Sequence, residues 1–355
     1  MVGNYKMRMG DGSRRWMSKE EIIDDVQAGV NDAVDCAEVP ALTDDDMGRI
    51  VDILCEKNHM VTVEEGNEVV ITNDGGPLKL MIDSGSSAPG IDLGRVQATK
   101  VLEKVFSVDT LETAWYDASM KEVKPNIGYE MVHCQDLMSN TVAPVLYMFM
   151  PNLGLYYQPT GMFGNPPDLM RDFKIEEAMD QAEKAGDALY EDLMYVTDKI
   201  LSVGVDGLDF DTTASAGDVE FVSCLKAVEN IRKSYPDAYI QMGMSAENIL
   251  GVHGMVEYDG KVVAGMYPHE QVKVAEKAGV SAFGPVVNTN TSKSSAWNIA
   301  RAVTIVKECE RVSTIPLQVN MGMGVGGTPM FETPPMDAIS RADKAMVEVA
   351  GVDGI

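Results

Sequence analysis

The stretch GVDGLDFD, residues 204–211, has the form of a helix end followed by a buried strand. Its first glycine tolerates the left-handed conformation that ends many helices, and the residues after it begin the strand. The same form recurs as GVSAF at residues 279–283 and as GVDGI at residues 351–355. Three junctions of one kind predict repeated βα units and therefore a parallel α/β fold.

From about residue 110 onward, apolar strand-like runs alternate with amphipathic helical stretches. Each predicted strand is followed by a helix, and GVDGI begins one more strand. About six βα units and the start of a seventh predict an incomplete TIM (β/α)8 barrel over residues 109–355. A Rossmann-like sheet is the structural alternative, since it needs no further units. The predicted strands lie at residues 111–117, 144–150, 206–211, 239–244, 281–287 and 315–321.

Residues 1–108 differ in character and predict an N-terminal α+β extension that packs against the barrel. Acidic helical segments are expected around residues 18–35 and 43–57, and a hairpin around residues 61–73. A stretch rich in glycine, serine and proline follows at residues 83–90. This part of the chain adds no βα unit to the barrel.

The chain carries a strong negative charge. Its 355 residues include 55 acidic and 29 basic side chains, which give a formal net charge of -26 at pH 7. That balance repels the phosphates of nucleic acids and of anionic lipid surfaces, so neither is expected as a partner. It is typical of an acidic cytosolic enzyme or, in the interpretation that we favour, of a protein adapted to a salty cytoplasm.

The cysteines and histidines form no metal-binding pattern. The five cysteines are scattered without a C-x-x-C motif, which predicts neither a disulfide framework nor a zinc site and is typical of a reducing cytoplasm. The four histidines show no metal-ligand spacing, so no metal site is expected. The most apolar stretch, residues 142–154, is too short and too interrupted to span a bilayer, which predicts a soluble cytoplasmic protein.

Two carboxylates stand at the end of a predicted strand. The alternation in Leu208-Asp209-Phe210-Asp211 puts the apolar pair on one face and both aspartates on the other. If the apolar pair meets the helices, Asp209 and Asp211 point into the barrel near its mouth, where barrel enzymes have their active sites. Two neighbouring carboxylates repel each other, so one is expected to hold a proton and serve as an acid or as a cation partner. A structural pair of hydrogen-bonded aspartates is the alternative.

A second polar cluster follows the strand at residues 281–287. Asn288 and Asn290, together with neighbouring threonines, would form a hydrogen-bonding floor for a small polar ligand. Ser292 is predicted to be the N-cap of the next helix, which accounts for part of the cluster. The two roles are compatible.

A glycine-rich loop follows Asn320. Its glycines, Gly322, Gly324, Gly326 and Gly327, include a match to G-x-G-x-x-G, but prolines stand where a dinucleotide-binding loop would open a helix. The loop therefore either lets the backbone approach something bulky and flat or makes a tight turn.

Three further side chains are candidates for chemistry. Glu247 follows the strand at residues 239–244 and is either an acid or a helix-starting glutamate. Tyr156 and Tyr157 follow the strand at residues 144–150 and either face a cationic amine through their rings or line a rim.

Six stretches of the chain carry a resemblance to a known family. They are FGPVVNTNTSKSSAWNIARAV (283–303), VNMGMGVGGTPMFETPP (319–335) and KAMVEVAGVDGI (344–355), with the shorter matches PNLGLYY (151–157), FDTTA (210–214) and RMGDG (8–12). Together they resemble the dimethylamine:corrinoid methyltransferases of methylotrophic methanogens. The resemblance covers essentially the whole chain. It implies a TIM barrel that demethylates dimethylamine to monomethylamine and passes the methyl group to the Co(I) of a separate corrinoid protein.

The resemblance also implies a cofactor requirement, an oligomeric state and a catalytic residue. It implies that no cofactor is bound tightly, that the full-length protein is a homo-oligomer, and that pyrrolysine, encoded by an amber codon, directly follows Ile355. The chain is therefore expected to be an inactive form that ends because the amber codon was taken as a stop, either in gene calling or in translation. Aligning GVDGI with GVDGL (204–208) puts the expected pyrrolysine in register with Asp209, where it would capture the amine.

No single catalytic role can be carried over from the motifs. The candidates for proton handling, taken from strand-end position alone, are Asp209, Asp211, Glu247, Asn288, Asn290 and Asn320, and the glycine-rich loop would face the corrin ring. The alternatives are a non-catalytic fragment or another TIM-barrel corrinoid-dependent methyltransferase.

Overall fold

The structure is a computed structural model that describes residues 5–67, 69, 72–73, 79–80, 91–92, 120–123, 145–251, 255–321 and 335–355. The predicted strand at residues 111–117, the stretch at residues 83–90 and all four glycines of the glycine-rich loop lie outside these residues. In the part of the chain that is described, no helix is both long enough and apolar enough to cross a membrane.

Helices and mostly short strands make up the described residues. The α-helices are α1 (Lys19–Ala37), α2 (Asp44–Leu54), α3 (Pro166–Arg171), α4 (Ile175–Ser202), α5 (Asp218–Ser234), α6 (Pro268–Ala278), α7 (Ser295–Val312) and α8 (Met336–Ala345). A 3-10 helix covers Leu153–Tyr156, and a π-helical turn covers Met346–Ala350. The strands are β1 (Tyr5–Arg8), β2 (Arg14–Met17), β3 (Thr72–Asn73), β4 (Lys79–Leu80), β5 (Ile91–Asp92), β6 (Met120–Val123), β7 (Val145–Phe149), β8 (Gly207–Thr213), β9 (Tyr239–Met244), β10 (Glu257–Tyr258), β11 (Lys261–Val262) and β12 (Ala282–Gly284).

Four strands form a parallel sheet in the order β7-β8-β9-β12, which is also their order along the chain. Two parallel bridges continue that order, from Phe283 to Leu317 and from Gln318 to Gly354. The strands predicted at residues 144–150, 206–211, 239–244 and 281–287 are therefore confirmed, and GVDGI lies beside the segment at residues 315–321. The mixed α/β class with a parallel sheet is confirmed.

The other edge of the sheet departs from the prediction. β6 pairs antiparallel with β7, and β3 pairs antiparallel with β6. The helix expected between the predicted strands at residues 111–117 and 144–150 lies largely outside the described residues, of which residues 120–123 are extended. Because these edge strands run antiparallel and the described sheet stays open, closure into a barrel remains a prediction.

Of the hairpin expected at residues 61–73, the structure describes the turn and parts of both arms, while residues 68, 70 and 71 lie outside the described residues. Asn67 donates a backbone hydrogen bond to Glu64 at 3.0 Å, but β3 pairs with β6 and not with residues 61–63. Strand propensity specifies an extended segment without specifying its partner, so the long-range pairing could not be read from the stretch itself.

The two faces of the parallel sheet differ as the alternation predicts. Leu208 and Phe210 are fully buried in one apolar cluster with Leu189 of α4 and Phe221 of α5. Ile240, Met242 and Phe283 belong to the same cluster. The helices therefore cover this face, and Asp209 and Asp211 lie on the opposite face.

The N-terminal helices pack on α7. α1 and α2 begin after Ser18 and Thr43, each with a reciprocal capping box, which confirms both predicted helical segments. Gly29 of α1 lies against α7 so closely that a Cβ atom there would be 2.2 Å from the carbonyl oxygen of Trp297. The division of the chain after residue 108 stays a prediction.

Candidate functional site

The inward face of the parallel sheet, defined by Asp209, Asp211, Gln241 and Asn320, carries most of the polar side chains that end these strands. Asp209 and Gln241 are register partners on β8 and β9, and they are 0% and 5% exposed. Asp211 lies two residues after Asp209 in β8, and its side chain is therefore on the same face of the sheet. The structure thus brings both predicted aspartates to one face and adds Gln241 to them.

Asp211 is held in place by close neighbours. Its Oδ1 accepts a hydrogen bond from the backbone N–H of Thr212 at 2.9 Å. A Cβ atom on Gly243 would lie 2.7 Å from the same oxygen, so only glycine leaves room for this carboxylate. The carboxylate therefore rests directly over β9.

The backbone that follows Asp211 is strained. Thr212 and Ala214 have φ angles of 54° and 68°, in the left-handed region that non-glycine residues rarely adopt. The ladder with β9 shifts register between Phe210 and Thr213. Strain of this kind persists where the surrounding structure demands it and is concentrated at functional sites.

Two side chains on this face have amide groups without a hydrogen-bond partner among the described residues. Asn320 Oδ1 is buried without such a partner, and the amide of Gln241, a residue that is 5% exposed, makes no hydrogen bond to any of them. Buried polar atoms are nearly always hydrogen-bonded in folded proteins, so these amides are available to a polar ligand. Sequence reasoning missed Gln241, although a polar residue in the apolar strand YIQMGM, in the alternation of Asp209, was the available signal.

Ile355, after which the resemblance puts pyrrolysine, brings no polar group to the inward face. It is half-buried and packs against an apolar cluster that includes Val303 of α7, Val319 and Val352. Its neighbour Gly354 is bridged to Gln318, so this stretch does run beside the segment at residues 315–321. Ile355 is therefore a packing residue, and pyrrolysine at the position after it stays a prediction.

Asn288 and Asn290 lie further out, and both are exposed. Asn290 Oδ1 accepts hydrogen bonds from Ser292 N and Oγ at 3.0 and 2.8 Å, while Asn298 Oδ1 accepts one from Asn290 N at 2.8 Å. These bonds stabilise a turn that delays the helix, so the N-cap of α7 is Ser294 and the prediction of Ser292 is wrong. Asn290 is engaged in that turn, and its catalytic role stays a prediction.

Glu247 is held by a buried ion pair. Arg301 of α7 donates to both of its carboxylate oxygens, at 2.7 and 2.6 Å, and Asn288 N donates to Oε2 at 2.9 Å. The Nε of Arg301 donates to Asp32 of α1 at 2.6 Å. Burial opposes the charge of Arg301, but the two carboxylates outweigh it and raise the pKa of the guanidinium. The geometry makes Glu247 a link between loop and helix, and its role as an acid stays a prediction.

A third group lies in the loops after β7 and β8. Tyr156 donates to Asp192 at 2.6 Å, and burial followed by this carboxylate raises the pKa of Tyr156. Burial, together with the negative charges of Asp218 and Glu220, raises the pKa of Tyr157 to about 12. Both tyrosines therefore stay neutral at physiological pH, and each already lies close to a carboxylate of this protein.

Glu220 is a buried acid that sequence reasoning missed. It is fully buried, and it accepts hydrogen bonds from Leu153 N at 2.7 Å and Ser215 Oγ at 3.1 Å. Burial raises the pKa of its carboxyl group. Its position in the first turn of α5 is typical of helix-start acids, which explains why the sequence offered no distinct signal.

The described ranges contain no group of three or more His, Cys, Asp or Glu residues that could hold a metal ion. The inward face instead offers carboxylates and amide oxygens. This set suits a small organic cation that donates hydrogen bonds, because carboxylates supply opposite charge and amide oxygens accept N–H groups.

Comparison with known proteins gives two findings. A family model described as dimethylamine methyltransferase matches residues 3–355. Among solved structures, the homocysteine methyltransferase MmuM from Escherichia coli in its apo form is 13% identical, and the match covers 73% of this chain and 78% of that chain. The TM-score of 0.26 is too low to assign a fold.

Proposed function

We propose that this chain, which belongs to the dimethylamine methyltransferase family, provides the face of the native enzyme that binds dimethylammonium, on its parallel sheet, and that the native enzyme passes one methyl group to the cobalt of a corrinoid carried by a partner protein. Family membership makes the chain a methyltransferase. The observation that carries the choice of site is that Asn320 Oδ1 is buried without a partner among the described residues, and that the Gln241 amide makes no hydrogen bond to any of them, beside the carboxylates Asp209 and Asp211.

The chemistry of the substrate fits these groups. Dimethylammonium carries one positive charge, two N–H donors and two methyl groups. The carboxylates on β8 supply the opposite charge, and the side-chain oxygens of Gln241 and Asn320 are acceptors for the two N–H groups. Binding both N–H groups would orient a methyl group away from them, toward the open mouth of the sheet.

The carboxylates also control the charge of the nitrogen. When one methyl group leaves, the electron pair of its C–N bond stays with nitrogen, so a protonated dimethylammonium leaves as neutral methylamine. Buried carboxylates favour the protonated amine, which is the better leaving group. The reduced cobalt of the corrinoid would supply the nucleophile that accepts the methyl group.

We further propose that the parallel sheet is part of a (β/α)8 barrel, as the resemblance implies. The consecutive strand order β7-β8-β9-β12, continued by the bridges to Leu317 and Gly354, is the order of a barrel arc. Gly354 pairs with Gln318, so the second position after it in an extended strand would share its face, opposite to that of Ile355. That is the position that the resemblance assigns to pyrrolysine.

Exposed apolar side chains support a protein partner at the same end of the sheet. Met150, Leu155 and Met162 follow β7, and Leu250 and Met255 follow β9, each between 48% and 81% exposed. Apolar side chains gathered on the loops of one face are typical of docking surfaces. A corrinoid protein docked there would meet the inward face.

The test is a methyl-transfer assay with the native protein, dimethylamine and a reduced corrinoid protein. We expect Asp209→Asn to lower the rate at least a hundredfold, because the substituted amide no longer supplies the charge that holds the cation. Asp237→Asn, an exposed aspartate at the opposite end of β9, is the matched control and should leave the rate unchanged. Retention of half the rate by both Asp209→Asn and Asp211→Asn would contradict the proposal.

A further inference from the structure

The N-terminal cleft, defined by Tyr5, Lys6, Arg8, Trp16, Lys57 and Arg341, is a second concave site, separate from the inward face. Its volume is about 300 Å³, and it lies between β1, β2, the end of α2 and the first turns of α7 and α8. None of the inward-face residues lines it. The volume falls at the lower end of the range for small-molecule sites.

The cleft is basic in a chain whose net charge is -26. Its two carboxylates are already paired, Glu56 with Lys344 at 3.1 Å and Asp337 with Arg8 at 2.6 Å. Lys6 and Lys57 are exposed and form no ion pair within the described ranges. A local excess of positive charge on so acidic a protein is not explained by solubility.

Arg341 adds a charge that no carboxylate of the described residues contacts. Within that part of the chain, its Nη1 and Nη2 donate only to backbone carbonyls, those of Asp337 at 2.7 Å, Glu56 at 2.8 Å, Asn58 at 2.8 Å and His59 at 3.2 Å. These bonds fix the guanidinium rigidly in the wall of the cleft. Burial lowers the pKa of Arg341, and the more distant Asp337 and Glu56 offset this only in part. A bound anion would supply the missing counter-charge.

Two helix ends also meet the cleft. Ser295 from the first turn of α7, and Asp337 and Ala338 from the first turn of α8, line it. The N–H of Ala338 already donates to the carbonyl of Pro335 at 3.0 Å, and Asp337 puts a carboxylate at the start of α8. Only the start of α7 therefore adds a partial positive charge that favours an anion.

The cleft also offers aromatic surface. Trp16 is 59% exposed on β2, and the ring of Tyr5 is half-buried nearby on β1. An exposed tryptophan beside lysines is suited to stacking a flat ring whose phosphates meet the basic groups.

We propose that the N-terminal cleft binds a small phosphorylated ligand of up to nucleotide size, with its phosphates on Lys6 and Lys57 and any flat ring on Trp16. The shared chemistry is the phosphate group. A free polyphosphate and a nucleotide are distinguished by the ring.

Isothermal titration of the native protein with pyrophosphate and with ATP tests the proposal. We expect Lys6→Gln/Lys57→Gln to weaken binding about a hundredfold, since each lost contact to a charged group costs roughly a factor of ten. Lys226→Gln/Lys261→Gln removes the same charge from exposed lysines outside the cleft and should leave binding unchanged. Trp16→Ala should weaken ATP about tenfold and leave pyrophosphate unaffected if the ligand is a nucleotide, and should affect neither if it is a free polyphosphate.

Two results would overturn the proposal. One is that the native protein binds neither pyrophosphate nor ATP at millimolar concentration. The other is that both double variants weaken binding equally, because binding would then follow overall charge and not this cleft. Neither result depends on the methyl-transfer site.

Discussion

The inward face of the parallel sheet and the interface between α1 and α7 both bury polar side chains, but they differ in how those side chains are hydrogen-bonded. At the interface, Arg301 satisfies both oxygens of Glu247 and also contacts Asp32. On the inward face, Gln241 and Asn320 keep amide groups that no described residue satisfies. The hydrogen-bonded side chains at the interface stabilise the fold, whereas the amides on the inward face are free to accept or donate hydrogen bonds to a ligand.

The largest expected loss of stability comes from removing the buried ion pair at the interface between α1 and α7. Arg301→Met would leave Glu247 buried without its partner, so the free energy of unfolding should fall by about 3–5 kcal/mol in urea denaturation. Arg311→Met removes an arginine that is 65% exposed in its pair with Glu308, and it should cost less than about 1 kcal/mol. Equal losses in the two variants would show that the buried pair is not specially important.

Asp343 extends the comparison to a buried polar group outside both regions. Its Oδ1 is buried without a partner among the described residues, and burial raises the pKa of the carboxyl group to about 7. The folded state holds the proton of Asp343 more tightly than the unfolded state does. The contribution of this group to stability should therefore be greatest below about pH 4 and should decrease as the pH rises to about 7.

Asp343→Asn keeps the shape without the charge. It should raise the free energy of unfolding at pH 8 by about 2 kcal/mol. This is roughly half of the free energy that corresponds to the pKa shift of Asp343, because the structure relaxes around the charged carboxylate. Thermal unfolding from pH 4 to pH 8 measures the slope. An unchanged slope in the variant would exclude Asp343 as its source.

Much of the fold could be predicted from the sequence because its signals are local. The period of two placed Leu208 and Phe210 against the helices and Asp209 on the other face, and the glycine junctions marked the strand starts. The pairing of β3 with β6 could not be read in this way, because it joins residues about fifty positions apart. The sequence pattern also predicted the turn between Glu64 and Asn67, but not the pairing of residues 72–73 with β6.

The site could be predicted only in part. Asp209, Asp211 and Asn320 stand at strand ends, which is a local signal. The bond between Arg301 and Glu247 joins residues 54 positions apart, so in the sequence Glu247 looked no different from Asp209. Whether a polar group is satisfied is a property of tertiary contacts, and the distinction between the two regions therefore needed the structure.

A smaller effect is expected from crowding the inward face. Gly243→Ala would place a Cβ atom 2.7 Å from Asp211 Oδ1, so the carboxylate must move. We expect a loss of about 1 kcal/mol in stability and about a tenfold slower methyl transfer. Gly48→Ala in α2 meets nothing within 4 Å and should stabilise the protein by up to about 1 kcal/mol without affecting the rate. An unchanged rate in Gly243→Ala would remove Asp211 from the site.

The smallest change in stability is expected for Gln241→Leu, which is also the most direct test of the site. Its methyl-transfer rate and its free energy of unfolding are measured together. Gln271→Leu is the matched control. Gln271 is buried, and its Oε1 also has no partner among the described residues, but its Nε2 donates to the carbonyls of Glu247 and Met266, both at 2.8 Å. We predict that Gln241→Leu slows methyl transfer at least tenfold while stability stays within about 0.5 kcal/mol, and that Gln271→Leu costs about 1–3 kcal/mol with the rate per folded molecule unchanged. A Gln241→Leu protein that transfers methyl groups at the native rate would contradict the assignment of the site to the inward face.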